Sequence, residues 1–355
     1  MSEALLKQAP QTSSNTTPSA IWYTRCPVPT TSGIAQHKQW LQNEFARHGI
    51  TLDSIRASQD RAVRESHFRH SLAGSFREGG NVPPIWAKAQ GQDTVVVGIT
   101  WVDEEQLVFV RGDSDIHTVA DLRGRKLGVV RKAASDLVDV GRAEGQRGLL
   151  TALHLGGVPR ETVEFVDIAA PEWDLKEVSR TREDHHAIPT LALLNGTVDA
   201  IFIKGAGSAR ALAQGLRPII NINDQEDPLL RLSAGSPRPI TVDRKTLLDS
   251  PEIVVRYLAV LLKTFEWAKA HPEEVLSIIA AETATDEDSV LLAFGNKLHL
   301  SFEPKLSDIY VEGLRRQKNF LLAEGFIDID FDVDTWIDPS PLQKAWLLKD
   351  QIVLG

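Results

Sequence analysis

The chain carries one cysteine, Cys26, in the run Thr24-Arg25-Cys26-Pro27-Val28-Pro29-Thr30. A thiol can act as a nucleophile or as an acid, provided an electropositive and partly exposed setting tunes it. Buried among apolar side chains it is only a small hydrophobe. Pro27 and Pro29 hold the stretch after the thiol in a rigid loop, and a nearby histidine would supply or hold its proton. About forty residues on, His67, Phe68, Arg69, His70 and Arg77 gather ionisable groups within eleven positions, followed by Gly79-Gly80. A planar guanidinium beside closely approached backbone amides suits a carboxylate, sulfonate or sulfinate, because its fork matches two oxygens. Without a pocket the same residues describe a solvated loop, and both readings stand at this point.

Other chemistries find little support. There is no Cys-x-x-Cys, and His185 and His186, beside Glu183 and Asp184, are adjacent in sequence, so their rings diverge on a helix or strand and no metal is expected. Neither a phosphate-binding G-x-x-x-x-G-K-[ST] loop nor a G-x-S-x-G elbow occurs, and no cofactor is expected. The net charge of −9 argues against a nucleic-acid partner. No apolar run approaches the roughly 18 residues of a membrane span, so no membrane partner is expected either. The first twenty residues do not read as a secretory signal. With one cysteine and no disulfide, the expected compartment is the cytoplasm. The partner expected is a small anion; the oligomeric state stays open.

The elements that must position these groups follow from periodicity and turn signals. A flexible tail is predicted over 1–20, then a strand from Ile21, the proline loop, and a helix over Ile34–His48 stopped by Gly49. Cys26 thus falls in a strand-to-helix loop, where open α/β sheets bind ligands. A strand over Thr51–Ala57, a polar segment holding His67 to Arg77, and strands over Thr94–Trp101 and Gln106–Arg111 come next. From Ile116 the pattern alternates: strand from Lys126, helix within Ala134–Gly156, strand Thr162–Ile168, helix to Asn195-Gly196, strand Val198–Ile203, helix near Ser208–Gln214 and strand Arg217–Ile222. That alternation implies a parallel sheet covered on both faces. Beyond Pro237 helices dominate, at Ile253–Ala270, Pro272–Glu282 and Ser307–Ala323. At 355 residues two domains are expected: one from 21–110 plus 230–355, with the helical C-terminal third packed back on it, the other from 111–229.

Taken together, these positions resemble the 2'-hydroxybiphenyl-2-sulfinate desulfinase family, which has a Cys-Pro-Val-Pro loop, a His-Phe pair, and an arginine followed by Gly-Gly and Pro-Pro. Here they are Cys26 to Pro29, His67-Phe68, Arg77, Gly79-Gly80 and Pro83-Pro84. The stretches IHTVADLRGRKLGVV and LLNGTVDAIFIKG are similar to sulfonate and nitrate solute-binding relatives. The resemblance implies an α/β, two-domain periplasmic-binding-protein-like (type II) fold with a ligand cleft between the domains. It implies Cys26 as proton donor or nucleophile, His67 as its support and Arg77 as the sulfinate anchor, with Phe68, Gly79 and Gly80 beside the substrate. The implied activity is cofactor-independent cleavage of a carbon–sulfur bond in an organic sulfinate, releasing sulfite.

Two positions depart from the family. Ala143, ahead of Glu144, stands where the family carries a tryptophan, and Lys204-Gly205-Ala206-Gly207 replace aromatic residues after a strand. Lys204 is therefore expected to bind substrate, which would be smaller than a biaryl or carry a second anionic group. The alternatives are a non-catalytic solute receptor for a sulfonate, carboxylate or related anion, and another cysteine-dependent reaction on this scaffold.

Overall fold

The computed structural model describes residues 18–26, 28–133, 136–171 and 187–355. The His185-His186 pair, and the expected tail apart from its last three residues, lie outside the described residues. In chain order the strands are β1 (Ala20–Arg25), β2 (Thr51–Ser54), β3 (Ser75–Glu78), β4 (Thr94–Thr100), β5 (Gln106–Arg111), β6 (Lys126–Lys132), β7 (Glu164–Ala170), β8 (Ala200–Lys204), β9 (Leu216–Asn221) and β10 (Arg238–Asp243). They form two five-stranded sheets, ordered β2-β1-β3-β10-β4 and β7-β6-β8-β5-β9.

The sheets share one wiring plan. In each, three parallel strands are joined through helices, and a fourth strand is antiparallel to both its neighbours. That antiparallel strand, β10 in the first sheet and β5 in the second, is the one entering from the other sheet. The chain thus crosses twice, through 101–105 and 222–237, giving the two-domain periplasmic-binding-protein-like fold. Both the parallel strand β3 and the edge strand β4 are covered on both faces, every residue of each being buried.

The helices around the first sheet are α1 (Thr31–His37), α2 (Trp40–Ala46), α3 (Arg61–Arg69) and α4 (Val82–Ala89); α5 (Val140–Leu155), α6 (187–194) and α7 (Gly207–Ala213) serve the second. The C-terminal part adds α8 (Arg244–Asp249), α9 (Pro251–Ala270), α10 (Pro272–Thr283), α11 (Glu287–Phe294), α12 (Asp308–Ala323), α13 (Val333–Trp336) and α14 (Ser340–Leu348). Helix α9 is the central beam: Val254, Tyr257, Leu258 and Leu261, at helical spacing, are buried with Ile21, Phe76 and Val97 of the first sheet.

Several local expectations need correcting. The single helix predicted over 34–48 is two, because Gln39 adopts a left-handed conformation (φ 59°) between α1 and α2. Thr30 starts α1 earlier than expected, its hydroxyl accepting from the Gly33 amide at 2.9 Å. The strand predicted to Ala57 stops at Ser54 and continues as a 3₁₀ turn. The polar segment around His67 holds helix α3 and strand β3, disguised because their buried faces carry Arg64, His67, Arg77 and Glu78. Pro83-Pro84 open α4, where the missing amide hydrogens cost no helical bond. Strand β10 opens the C-terminal region expected to be dominated by helices; its pairing with β3 begins only at Ile240, beyond Pro239, which has no N–H to give.

Candidate active site

The parallel register of β1 and β3 pairs Thr24 with Arg77 and Arg25 with Glu78. The next residue on each strand brings Cys26 beside Gly79 at the carboxyl ends, where such sheets bind ligands. The approach is close: a Cβ on Gly79 would lie 2.7 Å from both the Cβ and the Sγ of Cys26 and 3.8 Å from Arg77 Nη1. Gly80 is confined from the other side, since a Cβ there would meet the Ala234 carbonyl oxygen at 2.6 Å. The Gly79-Gly80 turn is therefore threaded between the thiol and the 233–236 loop, and only glycine fits both positions. Cys26 is a free thiol, 8% exposed.

Arg77 is buried, and its Nη1 donates to the Gly80 carbonyl at 2.7 Å, closing its own turn. Its Nε is buried without a partner. Burial brings the guanidinium down to about 10, while the nearby Cys26 thiolate, when charged, acts in the opposite direction. Glu78, next in sequence, points to the opposite face and accepts from the Thr31 amide at 3.1 Å, the Ser32 amide at 2.7 Å and the Thr100 hydroxyl at 2.8 Å. It locks the arginine strand to the start of α1 and to β4.

His67, on the last turn of α3, is buried, and its ring meets Phe68 edge-on at 4.8 Å. Burial, then the charges of Arg77, Arg56 and His70, holds it well below the ordinary imidazole range, so the ring is neutral near pH 7. His70 caps α3 in the left-handed conformation, and burial with the Arg77 charge lowers it to about 3. His67 Nδ1 and His70 Nε2 have no hydrogen-bond partner. No hydrogen bond joins His67 to Cys26; Arg77 lies within electrostatic reach of each. Phe68 lies in an apolar cluster with Val82, Trp86, Ala143 and Ala234, so its ring is part of a wall shared by both domains.

Lys204 stands at the end of β8, where Nζ meets both carboxylate oxygens of Glu104 at 3.0 Å and Glu144 at 3.3 Å. Its charge is thus engaged by two carboxylates. Ser233 Oγ donates to the same Glu104 at 3.3 Å, and a Cβ on Gly235 would lie 3.1 Å from Lys204 Nζ. Lys204 therefore underpins the loop that backs Gly80.

Sequence reasoning missed Arg238. It is completely buried at the start of β10; its Nε donates to Gly235 O at 2.8 Å and its Nη1 to Pro29 O, while Nη2 has no partner. It ties the cysteine loop to the 233–236 loop, and the charge of Cys26 reaches it as it reaches Arg77. The only local signal is an arginine between two prolines, Pro237 and Pro239, ahead of Ile240, Thr241 and Val242. Among the described residues no three His, Cys, Asp or Glu side chains are grouped to hold a metal ion. No helix among them is long and apolar enough to cross a membrane.

This arrangement sets a free thiol within electrostatic reach of two buried guanidiniums, with two buried neutral histidines close to Arg77, and leaves one nitrogen on each of the four unpaired. Buried guanidinium donors without partners are rare and call for an explanation; an anion with two or more oxygens supplies one.

No family model matches the chain. It is 28% identical over 354 aligned positions to the 2'-hydroxybiphenyl-2-sulfinate desulfinase of Rhodococcus erythropolis, covering 91% of this chain and 92% of that protein. A crystal structure of DszB, as a cysteine-to-serine mutant with biphenyl-2-sulfinic acid, superposes with a TM-score of 0.75 at 26% identity, covering 92% of this chain and 99% of that one. The periplasmic aliphatic sulphonate-binding protein SsuA of Escherichia coli superposes with a TM-score of 0.62 at 17% identity, over 91% of this chain and 92% of its own, a likeness of fold. The resemblance read from the motifs thus extends over nearly the whole chain, in sequence and in structure.

Proposed function

We propose that the protein is a cofactor-independent, desulfinase-like enzyme that cleaves the carbon–sulfur bond of an aromatic sulfinate and releases sulfite. The observation that carries this reading is the buried thiol of Cys26 beside Arg77 and Arg238, each guanidinium keeping one nitrogen unpaired. A sulfinate presents two oxygens to such donors and its ring carbon to the thiol.

In the reaction Cys26 gives its proton to the ring carbon bearing sulfur. The carbon–sulfur electron pair returns to the ring, sulfur dioxide departs, and water converts it to hydrogen sulfite while restoring the thiol proton. The thiolate left behind after transfer is stabilised by the same two arginines, so their charge acts on the transition state as well as on the bound substrate. Neutral His67 serves as an acceptor that relays a proton from water to Cys26 once the substrate fills the site. Glu78 and the Gly79-Gly80 turn hold this geometry.

Sulfite release from a panel of aryl and alkyl sulfinates tests the assignment. Wild type should release sulfite, Cys26→Ser should bind the sulfinate without turnover, and Arg77→Ala should bind it weakly. A wild-type protein that binds sulfinates and never releases sulfite is a receptor, and the enzymatic reading fails.

A further inference from the structure

We infer that the protein has a second anion-binding site, outside the cysteine cleft, which takes a single-ring organic acid between α5 and α12. A cavity of about 240 Å³ lies there, with Arg147, Leu150 and Thr151 of α5 on one side, Arg316 and Phe320 of α12 on the other, and Leu229 and Leu230 of the 222–237 crossing closing it. None of the residues placed around Cys26 lines it.

The argument turns on Arg147. Its Nε is shielded from solvent and has no hydrogen-bond partner. Its one contact of note is the face of Phe320, 5.0 Å from the guanidinium carbon, and among the described residues no carboxylate pairs with it. The side chain is half-buried; a guanidinium whose Nε is cut off from water and that lacks a counter-charge is destabilising, and a second cation nearby makes it more so. Burial and the charge of Arg316 accordingly bring Arg147 down to about 10. Arg316 is itself held by Glu312 at 2.9 Å through its Nε, so the uncompensated charge belongs to Arg147.

A carboxylate or sulfonate in the cavity would supply that charge, pairing with the fork of Arg147. The leucines and the Phe320 ring would receive an apolar body. The volume sits just below the roughly 300 Å³ at which ligand pockets usually begin, which favours one ring over two. Because α5 belongs to the second sheet's domain and α12 packs with the first, such a ligand would brace one domain against the other. Glu144, one turn before Arg147 on the same helix, reaches Lys204, so the brace adjoins the support of the cleft.

Benzoate is the probe. Its binding to the full chain is measured by calorimetry in an Arg77→Met background, where the cleft has lost its anion anchor. Binding should persist there, fall at least tenfold when Arg147→Met is added, and be abolished by Thr151→Trp, which fills the cavity and spares both arginines. Sulfite release by the Arg147→Met single variant without benzoate should match wild type, separating this site from the cleft chemistry. Loss of benzoate binding in Arg77→Met alone, or undiminished binding in Thr151→Trp, overturns the inference.

Discussion

Replacing Gly79 by alanine adds one methyl group against the reactive sulfur, and the structure sets the size of the effect. The new carbon would stand 2.7 Å from both the Cβ and the Sγ of Cys26, whereas comfortable contact is about 3.5–4.0 Å. Relief requires the thiol or the turn to shift by about 1 Å. Overpacking of this kind costs about 1–3 kcal/mol of stability, which a domain of ordinary stability survives. A displacement of about 1 Å in a catalytic group lowers turnover on the order of a hundredfold. Urea denaturation reads the first quantity and sulfite release the second. Gly80→Ala provides the contrast, because its Cβ presses on the Ala234 carbonyl at 2.6 Å and not on the thiol; KM should rise more than kcat falls. A folded Gly79→Ala enzyme retaining more than half of wild-type kcat would refute the placement of Cys26 as the reacting acid.

Arg238→Lys keeps a charge but cannot hold Gly235 O and Pro29 O together, so sulfite release should drop at least tenfold and remain above that of Arg238→Met; equal activity of the lysine variant and wild type would show that the fork is not used. Lys204→Met leaves Glu104 and Glu144 without their shared cation and should cost roughly 3–5 kcal/mol in urea denaturation, with KM for a mono-anionic sulfinate changed less than threefold; a large rise in KM with unchanged stability would instead make Lys204 a substrate ligand. The two buried histidines make the fold acid-sensitive: His70, at about 3 when folded against 6.5 unfolded, contributes stability that is complete above pH 6.5 and is lost as pH falls toward 3, at about 1.4 kcal/mol per unit. His67 acts in the same sense. Between pH 6.5 and 5 His70 alone should account for about 2 kcal/mol, and His70→Asn, which tolerates the left-handed conformation, should flatten the measured slope. An unchanged slope would mean that His70 is not held neutral.

Much of this site could be read along the chain because its pieces are local. The prolines after Cys26, the glycine pair after Arg77 and the spacing of His67 from Arg77 are short-range features, and each carries its own chemistry in the order of residues. The apolar spacing of α9 and the strand-helix alternation from Lys126 to Ile222 follow from side-chain periodicity alone. What the linear order could not give was decided by pairing across long separations. Arg238 reaches the Cys26 loop only because β10 returns from the second domain and inserts beside β3, over two hundred residues after the cysteine; no local pattern records that neighbour. The engagement of Lys204 by Glu104 and Glu144 likewise joins three distant segments, and turns a cation that looks free in the sequence into a neutralised brace. Helix α3 and strand β3 were hidden for the complementary reason. Their buried faces are charged, and burial of charge is stable only where a tertiary partner, or a ligand, meets it.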